Sequence, residues 1–364
     1  MNERTSVAVV MGGVSAEREI SMKSGTAVAA ALDPARFETR PVVVEADGAW
    51  RVGRRPFATG ERATMPAFPF ETLSAGRAVE NLRERGTQIA FLALHGRGGE
   101  DGIVQGLLDA IGLPYTGSGV TASALAMDKP LSRSVLRAAG IPIAEGLAGT
   151  ESAWRKDRDD VLKRLAAAVG YPCFVKPAAE GSSVGVRRVA RPEEMAAAVE
   201  DALAYGPRFL VEREVAGKEL TCAVLGNHLE EKLIALPPIE IVARREGFFT
   251  WKEKYDSDGA EEICPPRSLT DEAVGRVREV AVASHRALAC DGLTRTDMML
   301  DAGGTPFVLE VNTIPGFTER SLVPKAAAAA GIPFPDLCAT VVEAGLRRAE
   351  ALARTPLGRA PRRG

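Results

Sequence analysis

The stretch L-T-R-T-D-M-M-L-D-A-G-G-T-P-F-V-L-E-V-N-T-I-P-G, residues 293–316, decides how the chain is read. It reads as two short strands around a turn at Gly303-Gly304. Alternation puts Arg295, Asp297 and Met299 on one face of the first strand, and Val308, Glu310 and Asn312 on one face of the second. A hairpin symmetric about the glycines sets Asp297 opposite Glu310 and Arg295 opposite Asn312, unless a bulge shifts the register. The other face, with Met298, Leu300, Phe307, Leu309 and Val311, suits a core. Buried carboxylates need a counter-cation. Oxygen donors from Asp, Glu and Asn suit Mg²⁺, which commonly arrives with substrate phosphates. The other reading is a surface hairpin laced with salt bridges. The rest of the chain has to decide between the two.

The 364 residues suffice for two or three domains with their own cores. A net charge of −2 gives no global field for nucleic acid or an anionic membrane. No apolar run is long enough to span a bilayer, and the apolar run at residues 7–11 is too short for a signal peptide, so a cytoplasmic location is expected. The five cysteines are scattered, odd in number and without a CxxC pair, which fits reduced thiols in the core. Three histidines are too few and too dispersed for a metal cluster.

Strands at 7–11, 37–44 and 88–94 alternate with a helix that follows S-A-E-R-E-I-S and runs through about residue 32 and a second at about 103–111. That pattern predicts a parallel sheet with ligands near the carboxyl ends of its strands, where Glu17 and His95 fall. Residues 45–75 read as an irregular insertion carrying short strands. A second unit has helices opening at Asp128-Lys129-Pro130 and spanning about 159–169 and 192–204, with strands at 173–176 and 209–211. A third has strands at 219–225 and 230–236, a polar and aromatic loop, a helix at about 271–289, the opening hairpin, and helices at 322–330 and 335–353. Expected boundaries are 1–117, 118–211 and 212–353, with a disordered basic tail at 354–364.

Gly181-Ser182-Ser183-Val184-Gly185 is a small-residue loop of the kind that lets backbone N–H groups approach phosphate oxygens, or simply a hairpin turn. It is neither a Walker A loop nor a G-x-G-x-x-G fingerprint. Lys176 precedes it, and a lysine there suits a phosphate as a point charge. Lys129 carries a weaker signal of the same kind. The block His95-Gly96-Arg97-Gly98-Gly99-Glu100-Asp101-Gly102 has two acids that argue against bound phosphate, so a tight turn presenting His95 to a cleft is preferred. Glu17 suits either a substrate ammonium or a helix cap. Tyr255 lies in a loop long enough to be a lid.

Taken together, G-G-V-S-A-E-R-E-I-S, A-L-H-G-R-G-G-E-D-G, Y-T-G-S-G-V-T-A-S-A-L-A-M-D-K, V-K-P-A-A-E-G-S-S-V-G, T-R-T-D-M-M-L and L-E-V-N-T-I-P-G-F-T-E-R-S-L-V-P resemble the D-alanine:D-alanine ligase family, in that family's order and from residue 7 to about 346. The resemblance implies an α/β fold, α+β in part, with the three domains of the ATP-grasp architecture and an N-terminal Rossmann-like parallel sheet. It implies ATP between the central and C-terminal domains, with Asp297, Glu310 and Asn312 as ligands of two Mg²⁺ ions, Mn²⁺ being a substitute. Lys129, Lys176 and Lys254 match phosphate-binding lysines, Gly181 and Ser183 the phosphate loop, and Glu212 and Glu219 the adenine and ribose region. Glu17 and His95 match the site of the first D-alanine. Glu17, Ser182 and Tyr255 match a hydrogen-bonded set that shuts the lid. Arg295 and the Gly316 N–H match an oxyanion hole, and Ser321 and Leu322 the site for the second substrate's carboxylate.

The implied reaction is ATP-dependent joining of two D-alanines for peptidoglycan precursors through an acyl phosphate, in a cytoplasmic homodimer without nucleic-acid or membrane partners. Ligases that use D-lactate or D-serine as second substrate are the nearest alternative, and other ATP-grasp amino-acid ligases the next. The K-Y-D-S-D-G-A segment around Tyr255 resembles dipeptide-forming members.

Overall fold

β1 (Thr5–Gly12) carries an unbroken apolar run at residues 7–11 because both of its faces are covered there. Ala8 and Val10 face one cluster, with Val42, Val79, Leu82 and Leu108. Val7, Val9 and Met11 face another, with Val28, Val323 and Leu337. The structure, a computed structural model, describes residues 4–58, 68–181, 184–243 and 260–354. β1 lies between β2 (Phe37–Val44) and β5 (Ile89–Leu92), parallel to both. β3 (Trp50–Gly53) and β4 (Phe70–Leu73) extend this sheet in antiparallel fashion, giving the order β4-β3-β2-β1-β5. The expected parallel sheet is therefore mixed, and the segment read as an insertion supplies its antiparallel edge.

The central sheet has the order β6-β9-β7-β8, formed by β6 (Gly146–Thr150), β7 (Cys173–Pro177), β8 (Arg187–Val189) and β9 (Arg208–Arg213). All its pairings are antiparallel. One face packs on the helices Arg158–Ala168 and Pro192–Leu203 through Leu165, Met195 and Val199.

The C-terminal sheet runs β13-β12-β10-β14-β15, with β11 (Ile234–Ala235) attached to β10 (Lys218–Leu225). β12 (Ile239–Ala243) and β13 (Ala260–Ile263) form one side, β14 (Leu293–Leu300) and β15 (Pro306–Asn312) the other. A longer strand at 230–236 was expected, but only Ile234 and Ala235 pair. Leu220, Cys222, Val224, Met298 and Val308 face Val277 and Ala281 of the helix Asp271–Ala287. Ala223, Leu225 and Leu293 lie in the same cluster as β1, so the N- and C-terminal sheets share a core.

The hairpin keeps the expected pairs, Arg295 with Asn312 and Asp297 with Glu310. A bulge after Asp297 pairs Met298 with Val308. One extra residue reverses the alternation on β15. Val308 therefore lies in the core with Met298, and Phe307 and Leu309, expected there, are only half-buried. The bulge lets one strand bury apolar side chains near the turn and still present Glu310 and Asn312 beside Asp297.

The cysteines are all free thiols, four of them buried. The helix Arg18–Ala31 approaches β1 closely because Gly25 has no side chain; a Cβ there would lie 2.5 Å from Met11 Cβ. We expect Gly25→Val to lower the unfolding free energy by about 1–3 kcal/mol through overpacking, measured by urea unfolding.

Candidate active site

The C-terminal sheet supplies a polar face. Thr221 pairs with Asp297 and Ala223 with Arg295, so Glu219, Thr221, Arg295 and Asp297 share it, while Leu225 and Leu293 carry the same face into the core. Asp297 is buried and its carboxylate is held on three sides. Arg295 donates Nε–H to Oδ1 at 2.8 Å and Nη2–H to Oδ2 at 2.7 Å. Thr221 Oγ1 donates to Oδ1 at 2.6 Å, and Asn312 Nδ2 to Oδ2 at 3.1 Å. Charge-assisted bonds of this kind let a carboxylate stay ionised away from bulk water.

Lys129 begins the helix Lys129–Ala138, which Asp128 caps by accepting from Leu131 N. Its Nζ lies 3.6 Å from Glu310 Oε2 and also donates to the Glu180 carbonyl, just before the glycine loop. Lys176 on β7 and Glu212 on β9 are cross-strand diagonal neighbours, and their charges meet at 2.5 Å. Arg133 bonds the other oxygen of Glu212 and the Ala144 carbonyl. Burial opposes charge on Glu212, but Lys176 and Arg133 outweigh it and hold the carboxyl below the usual range. This buried triad fixes Lys176, a sequence candidate, through Arg133, which was not one. Arg133 carried no motif to mark it.

Glu17 is the N-cap residue of the helix Arg18–Ala31, but its side chain makes no capping bond. Its carboxylate reaches across instead: a Cβ on Gly96 would lie 2.7 Å from Oε2 and one on Gly181 3.4 Å. Gly96 has φ +67°, so a side chain there is disfavoured twice over. His95 is buried between Ile314 O, 2.8 Å from Nδ1, and Ser24 Oγ, 3.2 Å from Nε2. Burial pushes its pKa down, against the pull of Glu17. Glu100, passed over as a site residue in the sequence, accepts from Gly96 N at 2.8 Å and from Ile314 N at 3.0 Å. Burial, helped by Glu17, pushes its pKa up to about 8.

After β15 the chain turns through Gly316 to Ser321, the N-cap residue of the helix Leu322–Ala329. Ser321 Oγ accepts from Thr318 N at 3.1 Å and would lie 3.4 Å from a Cβ on Gly316. A helix N-terminus beside the Gly316 peptide suits a carboxylate or developing oxyanion.

The structure thus brings Glu17 beside Gly96 and Gly181, His95 against the segment that carries Gly316, and Lys129 beside Glu310 on the hairpin that holds Arg295, Asp297 and Asn312, with Lys176 and Glu212 on the central sheet and Glu219 on the C-terminal one. Ser182, Ser183, Lys254 and Tyr255 lie outside the described residues. The oxygens of Asp297 and Glu310 and the carbonyl of Asn312, whose Nδ2 is already committed, make a hard donor set that fits Mg²⁺. Among the described residues no group of three or more His, Cys, Asp or Glu could hold an ion. A cation on this face would therefore complete its shell with ligand oxygens or water, as Mg²⁺ commonly does.

Residues 6–118 match the family model for the D-ala D-ala ligase N-terminus, and residues 135–343 that for its C-terminus. The D-alanine–D-alanine ligase of Desulforudis audaxviator is 42% identical over 343 residues, 94% of this chain and 99% of the relative. The VanG D-Ala:D-Ser ligase of Enterococcus faecalis superposes with a TM-score of 0.78 at 29% identity, covering 94% of this chain and 100% of that one. The Bacillus anthracis D-alanine–D-alanine ligase complexed with ATP gives 0.72 at 30% identity, covering 95% and 99%.

Glu100 binds its proton more tightly in the folded protein than a carboxyl in the unfolded chain, which titrates near ~4.3. Its contribution to stability is thus complete below the unfolded pKa and is lost as pH rises through about 8. Urea unfolding between pH 5 and pH 9 should show the wild type losing stability relative to Glu100→Gln as pH rises. A difference that stays flat contradicts this.

Proposed function

The chain belongs to the D-alanine–D-alanine ligase family, and from that membership we infer the chemistry of its cleft: ATP-dependent joining of two D-alanines into D-alanyl-D-alanine. The observation that carries the residue-level reading is the Arg295–Asp297–Asn312 cluster beside Glu310 and Lys129. It sets oxygen donors for a cation next to cations for phosphate.

In this reading Glu17 takes the ammonium of the first D-alanine, with His95 beside it. The carboxylate of that substrate attacks the γ-phosphorus of ATP, ADP leaves, and a D-alanyl phosphate forms. Lys129, Lys176 and Arg295 offset the charge on the transferring group. Glu212 and Glu219 lie toward the adenine and ribose. Asp297, Glu310 and Asn312 would hold two Mg²⁺ ions, or Mn²⁺ in their place, which would neutralise charge on the β- and γ-phosphate oxygens. Ser321 and Leu322 seat the carboxylate of the second D-alanine. Its free amine attacks the acyl carbon, and Arg295 with the Gly316 N–H stabilises the tetrahedral oxyanion. Phosphate then leaves and the dipeptide is released. Acyl phosphates hydrolyse, so a lid carrying Lys254 and Tyr255, closing with Ser182 over Glu17, protects the intermediate. The dipeptide serves peptidoglycan synthesis, which places the enzyme in the cytoplasm, and we propose a homodimer. No described helix is long and apolar enough to cross a membrane.

D-serine in the second site is the reading favoured by the VanG likeness, and the curated relative at higher identity favours D-alanine. Incubation with ATP, Mg²⁺ and D-alanine, alone or with D-serine or D-lactate, should release phosphate and give D-alanyl-D-alanine as main product by mass. A mixed product dominating over the dipeptide would overturn the D-alanine assignment. Asp297→Asn should lose at least about a hundredfold in turnover while melting as a folded protein.

A further inference from the structure

Residues 314–317, which carry Gly316, are part of the C-terminal half of the chain, yet side chains from the N-terminal sheet's periphery satisfy their backbone. Glu100 Oε1 accepts from Ile314 N at 3.0 Å, and His95 Nδ1 donates to Ile314 O at 2.8 Å. Ser24 Oγ accepts from Phe317 N at 3.2 Å, and because Nδ1 of a neutral His95 carries the proton given to Ile314 O, Nε2 accepts the Ser24 hydroxyl hydrogen, also at 3.2 Å. Each of the three has a further anchor. Glu100 Oε2 takes the Gly96 N–H, His95 is locked at both ring nitrogens, and Ser24 sits fully buried on the helix Arg18–Ala31. Pro315 has no N–H to satisfy. Among the described residues, no hydrogen bond takes the N–H of Gly316. The donors on either side are occupied and the one between them is left for a ligand.

We propose that Ser24 and Glu100 are positioning residues for the oxyanion donor: with His95 they clamp the peptide on both sides of Gly316 and aim its N–H at the acyl oxygen. This rests on the reading of Gly316 as an oxyanion donor. It also gives His95 a role apart from substrate contact, since both ring nitrogens are engaged within the protein. The loop does not need the clamp merely to stay folded. The Phe317 ring packs against Phe91 and Phe334, at 5.8 and 5.6 Å between centroids, and Ile314 is buried with Leu92 and Leu94. Those contacts place the loop to within a side chain's tolerance. The hydrogen bonds fix the tilt of its peptides, and an oxyanion donor must be aimed at the position the charged oxygen will occupy.

The clamp should matter to one chemical step more than the other. Transfer of the γ-phosphoryl group leaves the acyl carbon trigonal, whereas attack by the amine puts negative charge on the acyl oxygen. The test uses the full-length enzyme carrying Ser24→Ala, Glu100→Gln or both. ATP labelled with ¹⁸O in the β–γ bridge reports reversible phosphoryl transfer by positional scrambling in the presence of D-alanine, and dipeptide formation reports the complete reaction. We expect each single substitution to lower kcat for dipeptide at least about tenfold, with scrambling and the KM for ATP within about threefold of wild type. The double variant should fall well short of the product of the single effects, because both act on one peptide. If Ser24→Ala melts below the assay temperature, Glu100→Gln decides alone. Scrambling and dipeptide formation falling together, or dipeptide formation unchanged in a folded variant, overturns the clamp. A wild-type enzyme that scrambles label but makes no dipeptide would instead sink the functional reading beneath it.

Discussion

The Asp297 carboxylate can lie at the edge of a hydrophobic core only because Arg295, Thr221 and Asn312 surround it. An isolated charge at that depth would cost far more than the fold can supply. The constraint reaches outward. Thr221 must stand opposite Asp297, which sets the register of β10 against β14. Asn312 must stand opposite Arg295, which sets β15. Near the turn the same strand must bury Val308 against Met298, and the bulge reconciles the two demands.

A second charge cluster plays the matching part on the central sheet. Glu212 is buried between Lys176 and Arg133. Such a cluster is poor evidence of net stabilisation, because desolvating three charges offsets their attraction. It does set Lys176 in one place. The charges are therefore pre-paired: Arg295 on Asp297, Lys129 near Glu310, Lys176 on Glu212. An anionic nucleotide with its cation would enter without stranding an unpaired buried charge.

Much of this was legible in the sequence where chemistry and periodicity coincide. The pairs Arg295–Asn312 and Asp297–Glu310 follow from a two-residue period around two glycines, and the unbroken apolar run at β1 from a strand covered on both faces. The bulge was not legible, because it depends on which of Val308 and Leu309 packs better against Met298. Nor were Ser24 and Glu100. Their partners are backbone N–H groups 293 and 214 residues away, and a backbone partner leaves no residue-type signature. Glu100 was visible only as an acid that spoiled a phosphate-loop reading, though its contact with Ile314 shows why an acid stands there.

Every role assigned above requires the hairpin face to be a cation site completed by nucleotide. The most direct measurement is diffraction at the manganese absorption edge from crystals grown with ATP and Mn²⁺. The expected result is an anomalous peak roughly 2.0–2.3 Å from oxygens of Asp297, Glu310 and Asn312, with phosphate oxygens completing its shell. Nucleotide bound in the cleft with no peak on that face, or with the metal held by other side chains, would contradict it.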